Sequence, residues 1–155
     1  MGINLRDVIK LQWSNVHDDK IFYYRSKTFR RSKVKRKNTV FLDKRTTKII
    51  KKYKGRGSYI FNVLDDSMTE EQKYRSGKNF IRKINQHLKR LAIELDISKD
   101  ISSIWSRHSF ATEMKKKKVS PYIIQEAFGH KDIKTTENYM SSLIEEDLRN
   151  LQKSL

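Results

Sequence analysis

Between Lys20 and Arg56 the chain carries sixteen basic residues and a single acid, Asp43. A segment of that density cannot be buried, because its like charges repel unless they face water or a polyanion. Phe22, Tyr23, Tyr24, Val40 and Phe41 run through it, and such aromatic and β-branched residues favour strands over a disordered basic arm. Beyond Lys99 the signs mix, and Glu145, Glu146 and Asp147 sit near the end. The excess of 35 Lys+Arg over 18 Asp+Glu, a net charge of +17, is therefore concentrated in one stretch. A charge run is ordinarily a solvated face, but sixteen to one in one segment points to a surface that meets phosphate.

A length of 155 residues with 36% hydrophobic composition fits one domain with a modest core. The absence of cysteine excludes a disulfide scaffold, thiolate zinc sites and a Cys nucleophile. No run approaches the roughly 18 apolar residues of a membrane span and no signal peptide is visible, so a soluble, cytoplasmic protein with no membrane partner is expected. There is no phosphate-cradling glycine loop and no carboxylate cluster, so neither a cofactor nor a metal is expected.

Local signals predict an α+β, mainly helical fold with a small antiparallel sheet near the N-terminus. Leu5, Val8, Ile9, Leu11 and Trp13 form a helical stripe over 5–13, with Asn4 as N-cap and Asp7 favourably placed in the first turn. Asp18-Asp19 marks a turn, Lys20–Ser26 a strand and Thr39–Leu42 its hairpin partner across a basic loop at 27–38. A short helix is expected over Thr46–Tyr53, stopped by Gly55 and Gly57, then an extended stretch over Tyr59–Val63. Thr69 followed by Glu70 and Glu71 opens a long helix to about Asp96, with Phe80, Ile84, Leu88, Leu91 and Leu95 facing inward. A helix from about Ser103 to Lys117 follows, and Ser120-Pro121 starts another that ends at Gly129. Thr135 or Thr136 starts a turn through Tyr139, and Leu143–Leu155 forms an amphipathic terminal helix. That last helix closes the fold or docks on a neighbouring protomer.

The helix around Ser106-Arg107-His108-Ser109-Phe110-Ala111-Thr112 carries the informative chemistry. Arg107, Phe110, Ala111 and Met114 are spaced i, i+3, i+4, i+7, which sets the arginine on the apolar face. A guanidinium keeps its proton, so it needs an anion there: an internal carboxylate such as Asp7, or a bound phosphate gripped by its planar fork. Gly129-His130 ends a helix, and Tyr139 stands nine residues after His130, near a Thr-Thr helix start. Each is weak alone, since Gly-His is commonly a C-cap and a lone Tyr commonly core filler.

Taken in order, Arg-His-Ser-Phe-Ala-Thr, Phe-Gly-His and Thr-Thr-x-x-Tyr resemble the catalytic domain of tyrosine recombinases, the phage and mobile-element integrases, most of all those of Bacteroidetes elements. The likeness runs from Gly2 through Tyr139 and is most specific from Ser106 onward. It implies the DNA breaking-rejoining fold, and a chain (1–155) that is the single catalytic domain without the family's N-terminal core-binding domain. It implies double-stranded DNA as partner, other protomers in a tetrameric synapse, and a bacterial, nucleoid-associated setting. By position, Tyr139 matches the nucleophile that forms a 3′-phosphotyrosine and Arg107 the second conserved arginine. His130 matches the histidine of the Gly-His element, which hydrogen-bonds the phosphate or assists the tyrosine, and Lys27 the hairpin lysine that protonates the leaving oxygen. His108, beside the arginine, is expected to be a structural support, as is Asp7. Arg25, Arg30, Arg31, Lys33, Lys35 and Lys134 are the expected DNA contacts.

Two positions depart from the pattern. Asn4 stands where the resemblance expects the first arginine, and Arg6 lies two residues on, toward a different helix face. Ile104 stands where a histidine is expected and can neither transfer a proton nor hydrogen-bond through its side chain. The residues thus imply a recombinase acting through Tyr139 or, alternatively, a catalytically weakened DNA-binding relative on the same scaffold. An unrelated RNA- or DNA-binding protein is the remote reading, since no aromatic RNA-stacking signature is evident.

Overall fold

The computed structural model describes residues 2–29, 36–53, 57–97 and 101–153, the side chains of 28, 142–147, 150 and 153 excepted. The described chain is mainly helical with one small sheet, as the sequence predicts. It divides into two compact units, one over residues 3–105, the other joining Gly2 to the residues from Ser106 onward.

The first unit begins with α1 (Leu5–Val8), capped by Asn4, whose Oδ1 accepts from the Arg6 amide at 2.9 Å. The predicted helix over 5–13 stops early because the backbone beyond it is claimed from far away in sequence. Trp13 N donates to Ser58 O at 2.8 Å and Ile60 N to Leu11 O at 2.9 Å. A 3-10 turn (Trp13–Asn15) leads into β1 (Val16–His17), a strand the sequence did not reveal. Asp18-Asp19 then forms a two-residue hairpin into β2 (Lys20–Tyr24), Asp18 taking φ 51°. Asp tolerates that left-handed conformation, which suits a two-residue turn between antiparallel strands.

β2 pairs antiparallel with β3 (Lys37–Phe41), with Ile21 opposite Val40 and Tyr23 opposite Asn38. The sheet order is β1-β2-β3. The period-2 alternation sends Ile21, Tyr23 and Val40 into a core with Leu11, Ile50 and Ile60. On the other face Lys37 Nζ lies 4.1 Å from the Phe22 ring centre, so part of the basic excess is held over aromatic rings.

β2 ends at Tyr24, short of the predicted Ser26, because Ser26–Phe29 folds as a one-turn helix, α2, where a loop was expected. The buried Asp7 accepts the Ser26 amide at 2.9 Å and so holds the start of that turn. At its end the Phe29 ring packs against Tyr24, centroids 5.3 Å apart. α3 (Lys44–Lys52) starts two residues before the prediction, because Asp43 supplies the N-cap through the Thr46 amide. Gly55, one of the expected stops, lies outside the described residues. The extended stretch expected over 59–63 is reduced to one bridge, Tyr59 to Gln12, with bends after it.

α4 (Glu70–Glu94) opens on a reciprocal capping box between Thr69 and Gln72. Its inward face runs through Gly77, Phe80, Ile84, Leu88 and Ala92, where the prediction continued to Leu91 and Leu95. Leu95 is 65% exposed. A stripe at i, i+4 leads from Leu88 to Ala92, and Leu91 and Leu95 fall beside it. Gly77 gives α1 its approach: a Cβ there would stand 2.8 Å from Ile9 Cδ1.

The second unit contains three helices built around Ala111, Ile124 and Phe128. These are α5, which starts at the boundary (Trp105–Lys116), α6 (Pro121–Phe128) and α7 (Ile133–Lys153). α6 follows its sequence signals closely, with Ser120 as N-cap, Pro121 at the first helical position and Gly129 left-handed at φ 61°. The sequence reading split the last segment at Thr135–Tyr139 and Leu143, but α7 is one helix from Ile133. No Gly or Pro interrupts it, and Asp132 caps its start by accepting the Lys134 amide at 2.9 Å. Leu148 and Leu151 lie exposed on it.

Candidate active site

Four of the sequence-predicted residues meet in the second unit: Arg107 and His108 from α5, His130 from the α6–α7 turn and Tyr139 from α7. His130 is placed by the end of α6. Gly129 N donates to Glu126 O at 3.0 Å and His130 N to Gln125 O at 3.1 Å, the paired bonds of a Schellman turn around a left-handed glycine. Gln125 Nε2 also reaches His130 O at 3.3 Å, so the histidine backbone is held on both sides.

Arg107 is buried, as its position on the apolar face requires. Its Nη1 donates to Gly2 O at 2.7 Å and its Nη2 to Phe128 O at 2.9 Å, while the guanidinium carbon sits 3.7 Å from the Phe128 ring centre. Carbonyl oxygens orient the fork without cancelling its charge. The close approach of Gly2 depends on its missing side chain, since a Cβ would lie 3.1 Å from Phe128 Cε1 and 3.2 Å from Arg107 Cα.

Arg107 Nη2 also lies 3.2 Å from His130 Nε2. A guanidinium can only donate, so Nε2 accepts and the proton of a neutral His130 resides on Nδ1. Nδ1 in turn stands 2.9 Å from Oγ1 of Thr136, which is fully buried. The arginine and the threonine together fix one tautomer.

Tyr139 is half-buried. Its hydroxyl lies 2.6 Å from His108 Nδ1, the two rings being nearly parallel with centroids 5.2 Å apart. Phe128 meets it edge-on at 5.5 Å. Burial pushes the phenol above its ordinary range, and the charge of Arg107 pulls the other way without prevailing.

The other candidates belong to the first unit or stand apart. Lys27 is exposed on α2, the turn anchored by Asp7, and Arg25 is half-buried just before it. Lys134 is exposed in the first turn of α7. Arg30, Arg31, Lys33 and Lys35 lie outside the described residues. Asn4 spends its side-chain oxygen on capping α1, and Ile104 is 41% exposed. Among the described residues no group of three or more metal-ligating side chains occurs, and no helix is long and apolar enough to cross a membrane.

Sequence reasoning missed Thr136, Gly2 and Phe128 as parts of the site. Thr136 and Phe128 lie inside the Thr-Thr-x-x-Tyr and Phe-Gly-His patterns. Spacing alone did not say that one sets the imidazole and the other underlies the guanidinium.

The model of the phage integrase family matches residues 2–146, and the chain belongs to that family. No curated protein sequence matches it. Among solved structures it is similar to XerA recombinase, with 18% identity and a TM-score of 0.62 over 96% of this chain and 52% of that one. It is similar to the Tn1549 transposon integrase in complex with a circular intermediate DNA, with 13% identity and a TM-score of 0.64 over 89% of this chain and 50% of that one. The catalytic domain of bacteriophage HP1 integrase gives 20% identity and a TM-score of 0.55 over 96% of this chain and 74% of that one. The chain thus spans about half the length of the first two.

Proposed function

We propose that the chain is the catalytic domain of a site-specific DNA recombinase that cuts and rejoins duplex DNA through Tyr139. The observation that carries this reading is the packing of phenol, guanidinium and the His130 imidazole around Phe128, with His108 against the phenol, in one unit. The Tyr139 oxygen attacks a backbone phosphorus, the bond to the 5′ oxygen breaks, and a 3′-phosphotyrosine forms. Arg107 neutralises charge on the non-bridging oxygens, and His130, whose Nε2 receives the guanidinium, steadies that fork. Lys27 gives its proton to the departing 5′ oxygen. The ester keeps the bond energy, so a second 5′ hydroxyl rejoins the strand with neither ATP nor metal.

Double-stranded DNA is the partner, held by Arg25, Arg30, Arg31, Lys33, Lys35 and Lys134, and further copies of the protein assemble with it in a tetrameric synapse. The setting is the bacterial cytoplasm, and the biological outcome is integration or excision of a mobile element. The second reading, a catalytically weakened DNA-binding relative, is favoured by Asn4 and Ile104. Neither supplies charge, and the Asn4 side-chain oxygen is already used.

A nicked suicide substrate bearing the target site separates the two. The intact protein should form a denaturant-resistant adduct that Tyr139→Phe and Arg107→Ala both abolish. Absence of adduct on the correct site favours the binder, and an adduct that persists in Tyr139→Phe removes the assigned nucleophile.

A further inference from the structure

We infer that His108 is the proton acceptor for the Tyr139 hydroxyl, a catalytic role beyond the structural support its position in the sequence suggested. The inference rests on Tyr139 as nucleophile. A phenol with an ordinary pKa of about 10 stays protonated at neutral pH, and in this site burial raises it further. Attack on phosphorus therefore requires a base within hydrogen-bond reach of the hydroxyl.

The geometry distinguishes the nearby groups. Arg107 has no lone pair to offer. His130 has both ring nitrogens engaged, Nε2 receiving the Arg107 fork at 3.2 Å and Nδ1–H facing Thr136 at 2.9 Å. His108 Nδ1 lies 2.6 Å from the Tyr139 oxygen, and the adjoining rings hold that approach. With its own proton on Nε2, a neutral His108 offers the Nδ1 lone pair to the phenolic O–H.

The step balances. As the Tyr139 oxygen bonds to phosphorus, its proton passes to His108 Nδ1, giving an imidazolium. The bond to the 5′ oxygen breaks, and that oxygen takes its proton from Lys27. In the return reaction a 5′ hydroxyl gives its proton to the neutral Lys27 amine as its oxygen attacks the phosphotyrosine, the bond from phosphorus to Tyr139 breaks, and His108 hands its proton back to the phenolate. Since Arg107 and His108 are consecutive on α5, one helix would set both the phosphate ligand and the base.

The test measures single-turnover adduct formation by the intact protein with the suicide substrate, comparing wild type with His108→Asn. Asparagine can place an acceptor near the Nδ1 position but cannot take up a proton, so loss of the base should slow the step roughly 10²–10⁴-fold. Thermal melting and DNA affinity should stay unchanged. A second substrate with sulfur at the 5′ bridging position needs no proton on its leaving group. It should restore Lys27→Ala and leave His108→Asn slow. Near wild-type rates for His108→Asn, or its rescue by the sulfur substrate, would overturn the inference while leaving Tyr139 as nucleophile. Loss of adduct in wild type, or its survival in Tyr139→Phe, would instead sink the underlying function. Should His108→Asn fail to fold, nitrogen-resolved NMR of the wild type still decides. A proton on His108 Nδ1 at neutral pH overturns the assignment, and one on Nε2 supports it.

Discussion

Thr136→Val tests the arrangement that fixes His130. The substitution nearly preserves shape, and Thr136 is fully buried, so no cavity opens and the change isolates one hydroxyl. That hydroxyl stands 2.9 Å from His130 Nδ1. Without it, the Nδ1–H of a buried imidazole loses that acceptor. The ring cannot escape by moving its proton to Nε2, because Nε2 would then oppose the Arg107 donor at 3.2 Å. Leaving one buried donor without its acceptor costs about 1–3 kcal/mol. In a chain of this size each kcal/mol lowers the melting temperature by roughly 2–4 °C. A central loss of about 2 kcal/mol, some 4–8 °C, is expected, while Thr136→Ser should keep the His130 proton on Nδ1. Calorimetry reads the stability, and nitrogen-resolved NMR reads the His130 tautomer. A Thr136→Val protein within about 0.5 kcal/mol of wild type, the proton still on Nδ1, would refute the account.

The left-handed helix ends give paired expectations of opposite sign. Gly129→Ala should destabilise by about 1–2 kcal/mol, while Lys118→Gly should stabilise by a smaller amount, since Lys118 adopts φ 53° at the end of α5; chemical denaturation checks both. Because the Tyr139 phenol is raised, the folded state holds its proton more tightly than the unfolded chain does. Its contribution to stability is complete below about pH 10 and is lost as pH rises toward the folded value; alkaline denaturation of wild type against Tyr139→Phe should isolate that loss. DNA affinity should fall linearly on a double-logarithmic plot against salt. Arg25→Ala or Lys134→Ala should each lower the steepness by about one phosphate contact, and an unchanged slope would remove that residue from the interface.

What the sequence revealed depended on how local each cause is. α4 and α6 were legible nearly to the residue because their caps, Thr69 with Gln72 and Ser120-Pro121 with Gly129, lie next to the ends they define. α1 was overextended because its limit is set by Ser58–Ile60, more than forty residues away. α2 was invisible because a single turn has little propensity of its own, and the Asp7 carboxylate that steadies it comes from nineteen residues earlier. The candidate site divides in the same way. The order of Arg107, His130 and Tyr139 was readable as a motif, whereas the partner of the Tyr139 hydroxyl lies across thirty-one residues and emerges only from a distance.

Thr136 and Tyr139 are separated by less than one turn of α7, an uninterrupted helix. Phenol and threonine are therefore geared to the same shaft. A slide or roll of that rod large enough to retract the Tyr139 phenol also pulls the Thr136 hydroxyl from His130, so placing the phenol and aiming the imidazole become one mechanical event.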